Sequence, residues 1–168
     1  QEKRLGADGF MTGLSGNYTI IFQDGWGTDI VVESAGGGSD TYDFAAATID
    51  LLFTQNANLL VSGGSNTVTS SQNYIENLLG GLGNDTYSIT GSSEITGWID
   101  GHDGIDTLSF NGNSSAQTII LSAVGTIVSL AGTATNVLGG FDNITNLIGS
   151  DQADSLTGVE NGGTFHVT

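Results

Sequence analysis

The chain has 168 residues, enough for one domain or two small modules. Gly, Asp, Asn, Ser and Thr fill 90 positions, yet Leu, Ile, Val and Phe fill 45, above the level at which disorder is expected, so a folded, turn-rich chain follows. Lys3 and Arg4 are the only Lys or Arg against 18 acids, which excludes nucleic-acid binding through phosphate contacts and disfavours adsorption to anionic lipid.

Short β-rich apolar runs follow one another along the chain. They are Tyr18–Phe22, Ile30–Val32, Ile49–Phe53, Leu59–Val61, Ile75–Leu79, Thr86–Ile89, Thr107–Phe110, Thr118–Leu121, Thr126–Leu130 and Ile144–Ile148. Most stand roughly 8–12 residues apart between Gly/Asn/Asp clusters, the spacing of an all-β protein. Phe44–Leu52, with Ala45, Ala46 and Ala47, fits a short helical turn or a tight strand equally well. No proline is present, so Gly, Asn and Asp must make the turns. Without cysteine there is no disulfide framework and no thiolate metal site. No apolar run approaches the ~18 residues of a membrane-spanning helix, and no segment reads as a signal peptide. A start at Gln1 without Met reads as a processed or excised piece.

The sequence repeats internally. Asn77–Gly91 aligns with Asn146–Gly158, and Asp40–Phe44 with Asp106–Phe110. This divides the chain into module one (22–89) and module two (90–158). Residues 1–21 read as the tail of a preceding unit and 159–168 as the start of a further one. A chain cut in mid-pattern is expected to meet copies of itself, head to tail in a filament or in tandem.

Gly80-Gly81-Leu82-Gly83-Asn84-Asp85-Thr86-Tyr87-Ser88 fits G-G-x-G-x-D-x-U-x, with U a large apolar residue, at every fixed position. Partial copies keep an Asp two residues before an apolar residue: Asp29 before Val31, Asp40 before Tyr42, Asp106 before Leu108 and Asp154 before Leu156. Asp8 before Phe10 is more degenerate, and the segment from Gly158 to Phe165 has no Asp at that position. Glycines permit positive φ and aim bare carbonyls at an ion, Asp adds charge, and U fills the core. With 17 acids from Leu5 onward and no Lys or Arg among them, a positive partner is needed, and hard oxygen donors select Ca²⁺.

This pattern resembles the RTX (haemolysin-type) calcium-binding repeat of secreted bacterial proteins. The resemblance implies an all-β parallel β-roll or β-solenoid with Gly/Asp-rich calcium-binding turns. The ligands it implies are Asp24, Gly27 and Asp29; Gly38 and Asp40; Gly81, Gly83 and Asp85; Asp100, Asp103, Gly104 and Asp106; and Asp151 and Asp154. The copies are not in uninterrupted nine-residue tandem, so a few sites with calcium-free coils between them are expected. The competing reading is that these Asp residues cap turns through their own side chains.

Other residues carry less. His102 and His166 lack any paired-His metal spacing and read as loop residues. Trp26 and Trp98, both in Gly-rich turns, are expected to wedge against a coil end rather than stack on sugars. Thr67-Val68-Thr69 and Thr133-Ala134-Thr135 share the spacing of ice-binding Thr ladders, but that face needs the spacing on successive coils, and two isolated copies do not make one. No nucleophile elbow or P-loop exists, and no His or cation tunes the carboxylates, so no catalytic residue is assigned. The expected function is a secreted, cell-surface calcium-loaded structural module. The alternatives are an adhesin or carbohydrate-binding module on a larger protein and a polysaccharide-active β-helix.

Overall fold

The structure is a computed structural model describing residues 1–5, 7–71, 74–124 and 129–158. Among these are seventeen strands and no helix. The expected start of a further repeat at 159–168, His166, and most of the expected strand Thr126–Leu130 lie outside the described residues.

Successive strands alternate between two sheets. β1 (Glu2–Arg4), β3 (Thr19–Gln23), β5 (Thr41–Ala46), β9 (Asn77–Leu79) and β11 (Ile99–Asp100) lie side by side in the first, all parallel. β2 (Phe10–Leu14) and β4 (Thr28–Glu33) pair in parallel in the second, as do β10 (Thr86–Ile89), β12 (Thr107–Ser109) and β16 (Asn146–Ile148). Period-2 burial explains the choice of strand: Thr41–Ala46 alternates half-buried and buried positions, with Tyr42 and Phe44 inside. The stretch after Phe44 accordingly extends β5 to Ala46 and contains no helical turn.

Two antiparallel meanders interrupt the alternation. β6 (Leu52–Gln55), β7 (Leu59–Gly63) and β8 (Asn66–Ser71) all stay in the second sheet. β13 (Thr118–Val124), β14 (Leu130–Ala134) and β15 (Val137–Ile144) all stay in the first, with β17 (Ser155–Thr157) parallel to β13. The chain is thus all-β, but both sheets are mixed, which corrects the expectation of parallel pairing throughout. The cause is local. Gly64-Ser65 and Thr135-Asn136 link their strands through two residues, enough for a hairpin and too few to reach the opposite sheet. The final orders are β1-β3-β5-β9-β11-β15-β14-β13-β17 and β16-β12-β10-β6-β7-β8-β4-β2.

The internal repeat advances the chain by seven strands, an odd number, so equivalent strands fall in opposite sheets. Asp40-Thr41 opens β5 in the first sheet, and its counterpart Asp106-Thr107 opens β12 in the second. The same step carries the meander β6–β8 onto β13–β15, so each sheet receives one. Strands of the two modules pair directly, β9 with β11 and β10 with β12, around one core.

That core includes the apolar-position residues Val31, Tyr42, Tyr87 and Leu108, whereas Leu156 of the last pattern is exposed. Phe22 stacks on Phe44 at 4.5 Å and Phe53 on Tyr87 at 4.4 Å, close to the ~4.8 Å separation of neighbouring strands. Phe44 meets Phe53 edge-on at 5.5 Å, joining the two sheets. Trp26 is buried against Phe22 and Phe44, whereas Trp98 is partly exposed.

Candidate functional site

The Asp that precedes each apolar position makes one recurring pair of hydrogen bonds. Its Oδ1 accepts a main-chain N–H from a neighbouring strand or turn, and the next residue's main chain closes the ring onto the same neighbour. Tyr18 donates to Asp40 at 2.7 Å, and the N–H of Thr41 donates to the Tyr18 carbonyl at 2.8 Å. Gly9 pairs in this way with Asp29 and Ile30, Leu51 with Asp85 and Thr86, Asp85 itself with Asp106 and Thr107, and Gln117 with Asp154 and Ser155. Each Asp therefore starts a parallel ladder by adding one acceptor beyond the strand's own carbonyls. These bonds cross to residues 20 or more positions away; a bond from the Asp's own turn, the competing reading, is present at Asp85 from Gly81 and at Asp154 from Ser150.

Two asparagines make the same ring. Asn66 Oδ1 accepts from Gly27 while Thr67 donates back to the Gly27 carbonyl, and Asn77 Oδ1 accepts from Trp98 while Leu78 donates back to Trp98. Here the second side-chain atom is an N–H₂ group that donates to a carbonyl, Gly63 for Asn66 and Asp40 for Asn77. The bracket needs only one oxygen and no charge. At Asp29 and Asp106 the second oxygen, Oδ2, is buried and has no hydrogen-bond partner among the described residues, whereas at Asp40 the Glu33 carboxyl lies within hydrogen-bonding reach. An unpaired buried carboxylate oxygen carries a large penalty, met by a proton or a cation. Burial accordingly lifts Asp106 to about 7, and raises Asp29 and Asp40 from their ordinary value.

The expected ligands divide by position. Gly81, Gly83 and Asp85 share one corner with Asp100, Asp103, Gly104 and Asp106. There the turn at 80–83 stacks on that at 101–104: the N–H of Asp103 donates to the Gly81 carbonyl, and a Cβ at Gly104 would collide with the Gly83 carbonyl. Gly104 adopts φ +125°, which suits glycine. Asp85, in the only full motif, has both oxygens engaged, Oδ1 by Leu51 and Oδ2 by Gly81 at 2.7 Å; burial still lifts it to about 6. Asp100 Oδ1 accepts from His102 N–H and Asn143 Nδ2, and Asp103 lies 3.8 Å from His102 Nδ1.

At a second place Gly27, at φ +83°, adjoins Asp8, and Asp29 brackets Gly9. At a third, Gly38 packs against Gly16 beside Asp40. The Glu33 carboxyl, also buried with an unpartnered oxygen, comes within hydrogen-bonding reach of Asp40, and Glu76 accepts the Asp40 N–H at 2.7 Å. Burial raises Glu33 and Glu76 as well. Glu33 and Glu76 fall outside the Asp-x-apolar pattern. Asn66 and Asn77 fit its Asx form, a signal present in the sequence had Asn been counted with Asp.

Asp24, Asp151 and Asp154 stand apart. Asp24 is exposed, and Thr48 N–H and Oγ1 hold its carboxylate below its ordinary range. Asp154 is exposed with both oxygens engaged, and Asp151 is exposed on the turn ahead of it. Burial opposes ionisation of Asp154, but hydrogen bonds from Gln117 and Ser150 leave it lowered.

The donor chemistry of the buried corners suits a hard cation: carboxylate oxygens and glycine carbonyls, with no sulfur. Among the described residues no three His, Cys, Asp or Glu side chains converge as a metal-binding group. Main-chain carbonyls would therefore have to complete any coordination shell. No family model matches the chain, and no curated protein matches it either.

Proposed function

We propose that this chain is a calcium-binding structural module of RTX type, a two-sheet parallel β-roll interrupted by two meanders. Its ions would sit at the corners where Gly/Asp turns stack. One observation carries this reading. The bracket works with Asn at 66 and 77, yet Asp stands at 29 and 106 with its second oxygen buried and unpartnered among the described residues. A cation there takes the place of the amide N–H₂ that neutral positions use. Asp106 Oδ2 would hold it together with carbonyls of the 80–83 and 101–104 turns, and Asp29 and Asp40 would do so at their own corners.

Bound calcium would neutralise part of a −16 chain and add its binding free energy to folding. Secretion to the bacterial surface, where calcium is abundant, and head-to-tail association through sheet edges belong to the same reading. β1, which carries Lys3 and Arg4, lies at one edge of the nine-stranded sheet. Isothermal calorimetry of chelator-treated protein with CaCl₂, followed by far-UV circular dichroism, tests it. Saturable binding with a gain of β signal supports the reading, and the absence of calcium heat overturns it.

A further inference from the structure

The outward face of the nine-stranded sheet carries a cleft of about 410 Å³ across β11, β15, β14 and β13. These strands are consecutive neighbours, so the cleft runs ~14 Å from Trp98, beside β11, to Ser122 on β13. A bulge shapes its floor. Leu138, Gly139 and Gly140 lie between paired residues of β15 where β14 has only Thr133, and Gly140 adopts φ +85°. A Cβ at Gly139 would meet the Gly97 main chain at 2.6 Å, and one at Gly140 would meet the Gly132 carbonyl at 2.8 Å. Close main-chain packing thus requires glycine there, and the result is a furrow free of side chains.

Trp98 walls one end. Its N–H donates to Asn77 Oδ1 and its carbonyl accepts from Leu78, so the Asn77 bracket anchors it on both sides. The residue is nevertheless 37 % exposed, where Trp26 is buried. Trp98 therefore does not wedge into the core; it presents an indole to the cleft. Beside it Asp100 and Asp142 stand in register on β11 and β15, an arrangement in which like charges repel. Asn143, at φ +54°, holds one oxygen of each. Its Nδ2 donates to Asp100 Oδ1 and its main-chain N–H to Asp142 Oδ1, both at 2.8 Å. The other oxygen of each carboxylate accepts no hydrogen bond among the described residues and is open to a donor. Exposed Ser122 and Thr133 add hydroxyls farther along.

This lining sets requirements on an occupant. Carboxylates accept only, hydroxyls donate and accept, and an indole face packs against C–H groups. The ligand must offer O–H donors along its edge and a flat apolar face, over the length of the furrow. Linked pyranose rings have both. A small cation would fill the carboxylate end and leave the glycine floor and the far hydroxyls empty. An acidic glycan would be repelled by Asp100 and Asp142, and no Lys or Arg lines the cleft to offset them. We infer that this cleft binds a neutral oligosaccharide about two or three rings long, with Trp98 as the stacking platform. The inference does not depend on where calcium binds, only on the sheet being formed.

Affinity electrophoresis of the full chain in CaCl₂ tests it, through gels containing dextran, galactomannan, hydroxyethylcellulose, soluble starch or the acidic polymer alginate. Retardation by at least one neutral polymer and none by alginate is expected. Binding should weaken at least about tenfold in W98A and only in part in W98F. F10A, which removes an exposed aromatic from the other sheet, should run as the parent chain does. Circular dichroism confirms that each variant is folded. Independently of any variant, oligosaccharides cut from the retarding polymer should shift the parent chain's Trp fluorescence to the blue as water leaves the indole. Migration unaffected by every neutral polymer overturns the inference, as does retardation that survives in folded W98A. Retardation by alginate alone also overturns it. A fluorescence change with tetramethylammonium, without retardation by any sugar polymer, overturns it in favour of an organic cation.

Discussion

Asp106 Oδ1 accepts the main-chain N–H of Asp85 at 2.8 Å, while its Oδ2 is buried without a partner. One carboxylate thus holds two successive motif turns together and keeps an oxygen in reserve. Replacing Asp106 by Asn preserves the bracket and removes the charge. D106N should be more stable than the parent chain in chelator, by about 1–3 kcal/mol, because a buried unpaired charge is gone. It should also gain less from calcium. Urea melts with and without CaCl₂ measure both. A D106N chain that is less stable in chelator, or equally calcium-responsive, would show that Oδ2 is not a cation ligand.

Asp85 should behave differently. Both of its oxygens are engaged by main-chain N–H groups, from Leu51 and Gly81. D85A leaves those buried donors unpaired, which costs about 1–3 kcal/mol for each. The loss should appear with and without calcium, and it should exceed that of D43A, whose side chain accepts the Ala45 N–H on a half-buried position. Midpoints of thermal unfolding decide the matter, and equal midpoints for D85A and D43A count against this assignment.

Acid should stabilise the calcium-free fold. A carboxyl whose folded pKa is raised contributes stability that is fully present below its unfolded value. That stability is lost as pH rises through the folded value, about 6 for Asp85 and about 7 for Asp106. In chelator, stability should therefore fall between pH 4 and pH 8, by on the order of 2 kcal/mol for Asp106 once solvent at the turn screens the charge. Calcium should flatten the dependence, since it occupies the proton's place. Denaturant melts across this pH range provide the measurement. A chelated chain equally stable at both ends would contradict the burial of Asp106.

Gly104→Ala should be costly. The residue holds φ +125°, and a methyl group would strike the Gly83 carbonyl of the stacked turn. The expected loss is about 2 kcal/mol or more. Gly112, at φ +78°, has open space where its Cβ would lie, so Gly112→Ala carries only the conformational cost, about 1 kcal/mol. A thermal-shift comparison that ranks Gly112→Ala as the more damaging would contradict the stacked-turn geometry.

Removing residues 1–4 deletes β1 and both non-histidine cations. If β1 docks on the acidic edge of another copy, sedimentation velocity in CaCl₂ should show large species for the full chain and fewer after truncation. Added salt should act in the same direction, because the contact pairs opposite charges. A full chain that stays monomeric at high concentration rules out assembly through this edge.

Composition and period by themselves determined that this is a turn-rich β protein with its apolar residues inside. The Asp-x-apolar spacing is local, and it marks the start of β4, β5, β10, β12 and β17 without reference to the rest of the chain. The tertiary structure decided what each Asp does. The amide that each Oδ1 accepts lies 20 or more positions away, such as Gly9 for Asp29 and Leu51 for Asp85, and only the folded turn shows whether Oδ2 also meets one, as Asp85 meets Gly81, or none, as at Asp106. The seven-strand step could not be read from the 66- and 69-residue offsets, because two-residue turns at Gly64-Ser65 and Thr135-Asn136 keep the chain in one sheet where alternation would have moved it across. In sequence Thr28, Thr67, Thr86 and Thr107 are scattered, and only the pairing of β4, β8, β7, β6, β10 and β12 sets them in one row. Register is a long-range property, fixed by which strands bury their faces together, and no local pattern contains it.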